Sequence, residues 1–193
     1  YQDLESMEAS SDTSLKRAVV VGGGLIGIEM AEMFYSRNIP VTFLVREGSY
    51  WDKVLPPEES QMINRHILEH HIDLRLETEL QEIIGDENGR VKAIITNKGE
   101  EINCQFVGLT AGVHPNIQFV KESRIECDRG ILVNEYLQTN VKDIYAIGDC
   151  AQIREPLAGR RPIEAIWYTG RMMGETVAYN IADDRPRVYD PGL

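Results

Sequence analysis

The stretch "RAVVVGGGLIGIEMAEMF" (17–34) joins a short apolar run to an amphipathic one through closely spaced glycines. Ala18, Val19, Val20 and Val21 form an unbroken apolar tetrad, the pattern of a strand buried on both faces. From position 25 onward, Leu25, Ile28, Ala31, Met33 and Phe34 predict a helix packed on a sheet. Asn38 and Pro40 end it, and "VTFLV" (41–45) reads as a second, β-branched strand.

Gly22, Gly24 and Gly27 therefore stand as G-x-G-x-x-G between a strand and a helix. That spacing suits a pyrophosphate: the first glycine makes the tight turn, the second admits close backbone approach, and the third lets helix and strand pack. The helix start, with Leu25 and Ile26 beside Gly27, offers free N–H groups and a partial positive charge to the phosphates. A glycine-rich turn needed only for packing would carry the same spacing. The flanking strand, helix and second strand favour dinucleotide binding.

The end of the second strand chooses between the two nicotinamide cofactors. An acid there, ~20 residues after the glycines, binds the ribose hydroxyls of NAD, whereas an Arg accepts the 2′-phosphate of NADP. Here the acidic position is Val45, followed by Arg46 and Glu47. Arg46 suits a 2′-phosphate or is a solvated loop residue; Glu47 suits a ribose. Gly27, where NADP sites often carry Ala, points to NADH, and Val45–Arg46 points the other way.

Bulk composition excludes several classes. The chain has 193 residues, 42% hydrophobic and 26% charged, as in a soluble globular protein. With 20 basic against 31 acidic residues the formal charge is −11, and no basic run exists to hold nucleic acid. No apolar run approaches the ~18 residues of a membrane span. The 3 cysteines, Cys104, Cys127 and Cys150, form no C-x-x-C pair, zinc spacing or disulfide framework, which points to a reducing cytoplasm. A start at Tyr1 rather than Met reads as a fragment.

The remaining chain orders its elements in a specific way. Residues 1–14 read as a linker or weak helix. Pro57, Glu58 and Glu59 open a helix running to about 70. "IDLRLE", "ELQEIIG", "VKAIIT" and "EINCQFVGLT", with turns at "DENGR" and "NKGE", predict a β-meander. "DRGILVN" (128–134) reads as a turn and short strand, "DIYAIGD" (143–149) as an apolar strand, and 163–181 as a final helix.

Taken together, "VVVGGGLIGIEMAE", "TAGVHPN" and "TNVKDIYAIGDCAQ" resemble the FAD-dependent pyridine nucleotide–disulfide oxidoreductases, nearest to rubredoxin reductases and the flavoprotein part of NADH-dependent nitrite reductases. The resemblance spans about 15–193. It implies an α/β fold: a Rossmann-like NAD(P)-binding domain with a β-meander over 15–117, then the C-terminal segment of a split FAD-binding domain over 118–185. Residues 186–193 resemble the lead-in to a further C-terminal domain. The first FAD half and the C-terminal interface domain would then be absent from this chain.

Residue by residue, the resemblance implies that Asp149 hydrogen-bonds a ribityl hydroxyl of FAD and that Gly148 admits the flavin's phosphate arm. Gly112 lies near the nicotinamide, and Glu29 faces the nicotinamide end. Each has a plainer reading: a strand-end Gly-Asp turn, a surface helix glutamate. The implied activity passes hydride from NAD(P)H to flavin and electrons to a disulfide, a small redox protein or oxygen. Gly27 together with the resemblance leans slightly to NADH. The alternatives are a single-cofactor NAD(P)-dependent dehydrogenase and a non-catalytic NAD(P)H-binding module. No side chain is nominated as catalytic, since flavin and nicotinamide supply the chemistry. The fragment alone is expected to be inactive, and its oligomeric state is open.

Other candidates fall away. His66 and His70 share a helix face but lack a third ligand, so no metal site is expected. Cys150 has no neighbouring cysteine and reads as packing. Trp51, Trp167 and Tyr168 read as packing residues too, although the last two fall where family members approach the flavin ring.

Overall fold

A strand of four apolar residues needs a covering layer on each face. The computed structural model, which describes residues 2–11, 15–183 and 185–192, supplies both. β1 (Ala18–Val21) sits in a four-stranded sheet ordered β3-β2-β1-β7, with β2 (Val41–Leu44), β3 (Asp73–Arg75) and β7 (Phe106–Leu109). Every pairing in it is parallel. Ala18 and Val20 are buried with Ala31 and Phe34 of α2 (Leu25–Ser36), Phe43 of β2, and Ile67 of α3 (Pro57–Glu69). Val19 and Val21 pack the opposite way, against Ile94 and Ile102 of an antiparallel meander. Its strands are β4 (Leu80–Gly85), β5 (Val91–Thr96) and β6 (Glu101–Asn103). Alternate side chains of one strand thus serve two cores. Phe34 and Phe43 are fully buried; truncating such a side chain to Ala costs about 3–5 kcal/mol.

Two expectations change in this half. "EINCQFVGLT" is two strands in two sheets, β6 and β7, because the chain changes partners at Cys104 and Gln105. Cys104 N donates to Lys92 O (3.0 Å), closing the meander, while Gln105 N donates to Arg17 O (3.1 Å), opening the parallel ladder. Gln105 Oε1 also accepts the N–H groups of Lys16 and Arg17, at 3.0 and 3.1 Å. "IDLRLE" lies outside the meander, since β3 pairs in parallel with β2. Within the 1–14 segment, Gln2–Ser10 forms helix α1, the helical one of its two readings. Residues 1 and 12–14 of that segment, residue 184 and residue 193 of the 186–193 lead-in lie outside the described residues.

The chain divides into two compact units, Tyr1–Val113 and His114–Leu193. In the second, β8 (Ile131–Val133) and β9 (Ala151–Ile153) pair in parallel. With α4 (Trp167–Ala182) they enclose Val133, Leu137, Ala146, Ala151 and Met173. "DIYAIGD" is not a strand. Tyr145 makes a single bridge to Gln138, supported by Thr139 N donating to Ile144 O (2.9 Å) and Ala146 N donating to Leu137 O (3.1 Å). The ladder stops because Leu137 turns into the left-handed region (φ 63°). A 3₁₀ turn, Gly148–Cys150, then leads into β9.

Candidate cofactor site

From β1 the chain moves to β2 and β3 on one side, whereas β7 returns on the other. Loops leaving the carboxyl ends of β1 and β7 therefore diverge, and the crevice between them is where open α/β sheets bind ligands. A cavity of about 630 Å³ lies there, walled by residues 21–24, 44, 46–47, 51–54, 78–80 and 109–112. Gly22, Gly24, Arg46, Glu47 and Gly112 are thus brought together from three loops. Leu25 and Ile26 are exposed at the start of α2, and Gly27 is buried beneath them. Glu29 is exposed further along the helix, outside the cavity's lining.

The three motif glycines do different work. Gly22 has φ +119°, and a Cβ there would meet Thr110 O and Oγ1 at 2.7 Å. A Cβ on Gly27 would collide with Gly22 O and meet Phe43 Cε2 at 3.1 Å. Both keep the turn folded. At Gly24, whose φ of −93° suits any residue, a Cβ would meet nothing within 4 Å. The backbone there is bare to the cavity, and the first N–H groups of α2 have no intrahelical acceptor.

Thr110, from the far side of the sheet, locks this turn. Its hydroxyl sits 2.9 Å from Val21 O and 3.1 Å from Gly22 O, donating to the pair. Its backbone N–H donates to Val21 O (2.8 Å). Two residues on, Gly112 has φ +118° and nothing within 4 Å of a built Cβ, so its backbone is also open.

At the end of β2, Val45 is fully buried, and a Cβ on Gly23 would meet its Cγ1 at 2.9 Å. The residues of that turn which line the cavity are Arg46 and Glu47. An acid at position 45 would be buried in an apolar core. Arg46 Nη2 and Nε donate to Glu47 Oε1 at 3.0 and 3.3 Å, and Lys53 Nζ approaches it at 3.5 Å. The hydrogen bond from Arg46 holds the Glu47 carboxyl below the usual glutamate range, outweighing partial burial, which pushes it up.

The other two expected residues, Gly148 and Asp149, lie in the second unit. Gly148 has φ +71° and nothing within 4 Å of a built Cβ; its N–H donates to Met173 Sδ (3.3 Å). Asp149 is exposed. Cys150 is engaged by its own unit, Sγ donating to Asn116 O (3.5 Å). Burial pushes the Cys104 thiol up to about 11, so it is not a nucleophile near neutral pH. His66 and His70 stack edge to face with ring centroids 4.3 Å apart. Among the described residues no cluster of 3 or more metal-ligating side chains exists, and no helix is long and apolar enough to cross a membrane.

Thr110 opens the "TAGVHPN" stretch and Trp51 reads from sequence as packing, and neither these nor Lys53 carries a local signal that it lines the cavity. Thr110 acts on Gly22 from 88 positions away, a distance no local pattern shows. Trp51 and Lys53 sit in a loop tied to α3 by Tyr50, whose N–H donates to Asn64 Oδ1 and whose carbonyl accepts the Ser60 hydroxyl.

Comparison with known proteins decides the family. A family model described as pyridine nucleotide-disulphide oxidoreductase matches residues 1–179. The chain belongs to that family. The NAD(P)H coenzyme A polysulfide/persulfide reductase of Pyrococcus horikoshii is 35% identical over 181 residues, covering 93% of this chain and 39% of the relative. The nitric oxide reductase FlRd-NAD(+) reductase of Salmonella schwarzengrund is 32% identical, covering 92% and 48%. A putidaredoxin reductase, solved in covalent complex with putidaredoxin, superposes with a TM-score of 0.84 at 26% identity, covering 96% of this chain and 45% of that one. The chain thus spans less than half the length of these family members.

Proposed function

We propose that this chain binds NAD(P)H in its first unit, contributes part of an FAD site from its second, and belongs to an FAD-dependent oxidoreductase. The observation that carries the reading is the bare backbone at Gly24, facing a cavity of about 630 Å³ at the point where strand order reverses. Gly22 and Gly27 keep the turn in shape, while Gly24, Leu25 and Ile26 offer backbone to the pyrophosphate. Arg46 and Glu47 face the adenosine ribose. Gly112 leaves room on the nicotinamide side, and the family resemblance assigns Glu29 to the nicotinamide end, although it lies outside the cavity's lining. Gly148 and Asp149 take the flavin's phosphate arm and ribityl chain.

When bound, nicotinamide and flavin would supply the hydride-transfer chemistry, and the residues named here would bind and orient them. The acceptor proposed for the whole protein would be a persulfide or disulfide, a small redox protein or another acceptor, in keeping with the names of the relatives. NADH is slightly favoured. Both Arg46 and Lys53 are directed at Glu47, whose negative charge opposes a 2′-phosphate. The free cysteines support a reducing, cytoplasmic setting.

Calorimetric titration of the chain with NADH tests the reading. Wild type should bind, and Gly24→Val should weaken binding at least tenfold, or about 1.4 kcal/mol, because the new side chain enters the pyrophosphate's space. The urea midpoint should not move. Equal affinity in the folded variant rejects the assignment.

A further inference from the structure

We infer that Trp51 is the aromatic wall on which the purine base of a bound dinucleotide stacks. This rests on the nucleotide site proposed above and names its base-recognising group. Trp51 lines the cavity alongside Arg46 and Glu47. The glycine turn sets where a pyrophosphate lies, and Arg46 and Glu47 set the side of the adenosine ribose. Trp51 follows β2 and Gly112 follows β7, on opposite sides of β1, so in the proposed site the ring falls on the side of the base rather than of the nicotinamide.

Three further observations show that the ring is held in place. Its backbone lies in the left-handed region (φ 56°), a conformation disfavoured for a bulky residue. Such conformations persist where the surroundings impose them, and they cluster at ligand sites. The Trp51 carbonyl accepts the N–H groups of Val54 and Leu55, both at 2.9 Å, which fixes the turn. The indole stacks on Tyr50, with planes 4° apart and centroids at 5.7 Å.

Tyr50 is itself a rigid support. It is 5% exposed and packs on Phe43, with centroids at 6.2 Å. Its N–H donates to Asn64 Oδ1 (3.0 Å), and its carbonyl accepts the Ser60 hydroxyl (2.6 Å). A preorganised aromatic ring beside a phosphate-binding turn is what a flat heterocycle requires, because stacking then costs little ordering. The other residues lining the cavity carry no aromatic ring.

Binding of AMP, ADP-ribose, NADH and nicotinamide mononucleotide to the full chain tests this. AMP should quench tryptophan emission in wild type, and Trp51→Phe should abolish the quench while holding AMP affinity within threefold. Trp51→Gly, suited to the left-handed backbone, should keep the fold by circular dichroism. It should weaken AMP, ADP-ribose and NADH alike by about tenfold, and leave nicotinamide mononucleotide unchanged. If Trp51→Gly binds AMP and NADH as wild type does, while Gly24→Val loses NADH, the role of Trp51 is overturned and the site stands. If wild type binds neither AMP nor NADH, both fail together.

Discussion

In the first unit, Gly24 opens onto a cavity of about 630 Å³ whose walls all come from that unit. In the second, Gly148 is equally bare, yet the large side chains of its turn and of the start of α4 face outward. Ile147, Ile166, Trp167 and Tyr168 are 44, 52, 69 and 69% exposed. Side chains left partly in water forgo a share of the ~1.5–3 kcal/mol that full burial of each contributes, and large exposed apolar patches are typical of interaction sites. The difference is one of completeness. The first unit holds a strand–glycine turn–helix, proposed as a phosphate cradle, beside its own β7. The second holds a Gly-Asp turn without such a cradle among its described residues.

The widest separation between the units is expected in flavin retention. On the proposed reading the 193-residue chain should carry no stoichiometric FAD, because the second unit would offer the ribityl side of a site and has, among its described residues, no strand–glycine turn–helix for the pyrophosphate. Flavin retained through gel filtration at one per chain would break the comparison.

Within the first unit, the glycines themselves should separate. Gly27→Ala places a methyl against Gly22 O and Phe43, so it should destabilise the fold by about 1–3 kcal/mol in urea. Gly24→Val should instead lose cofactor and keep stability. Reversed effects would show that the cavity is packing space rather than a site.

Thr110→Val keeps the shape and removes the hydroxyl from Val21 O and Gly22 O. Stability should fall by about 1 kcal/mol, with weaker NADH binding restored by Thr110→Ser. A loss that Ser does not restore would assign the effect to packing.

The smallest expected effects concern Arg46 and Glu47. Wild type should prefer NADH, and Arg46→Ala should keep that preference at fixed ionic strength. If wild type prefers NADPH and the variant loses the preference, Arg46 is the 2′-phosphate ligand. By carbon-13 NMR titration, Arg46→Ala should also raise the Glu47 pKa toward the ordinary value. A carboxyl depressed in the folded state stabilises the fold above its unfolded value of about 4.5, and that contribution fades as pH falls through the folded pKa. Arg46→Ala should therefore lower stability slightly above about pH 4.5 and flatten its pH dependence just below that value, where the wild-type contribution fades.

Much of the first unit was legible along the chain because its signals are local. The tetrad Ala18–Val21, the glycine spacing and the helix from Leu25 depend on neighbours within a few residues, and each occupies the position its pattern predicts. Alternation and turn residues likewise placed β4 and β5. Only tertiary structure decided the rest. Val45 is turned into the core by the layers around β2, so Arg46 and Glu47 line the cavity. Cys104 and Gln105 pass the chain between sheets because Lys92 and Arg17 offer carbonyls there. "DIYAIGD" has strand composition, but a strand exists only where a partner continues the ladder, and Leu137 turns away. Thr110 over Gly22 and Trp51 over Tyr50 arise from packing, since side-chain direction depends on which faces are already covered.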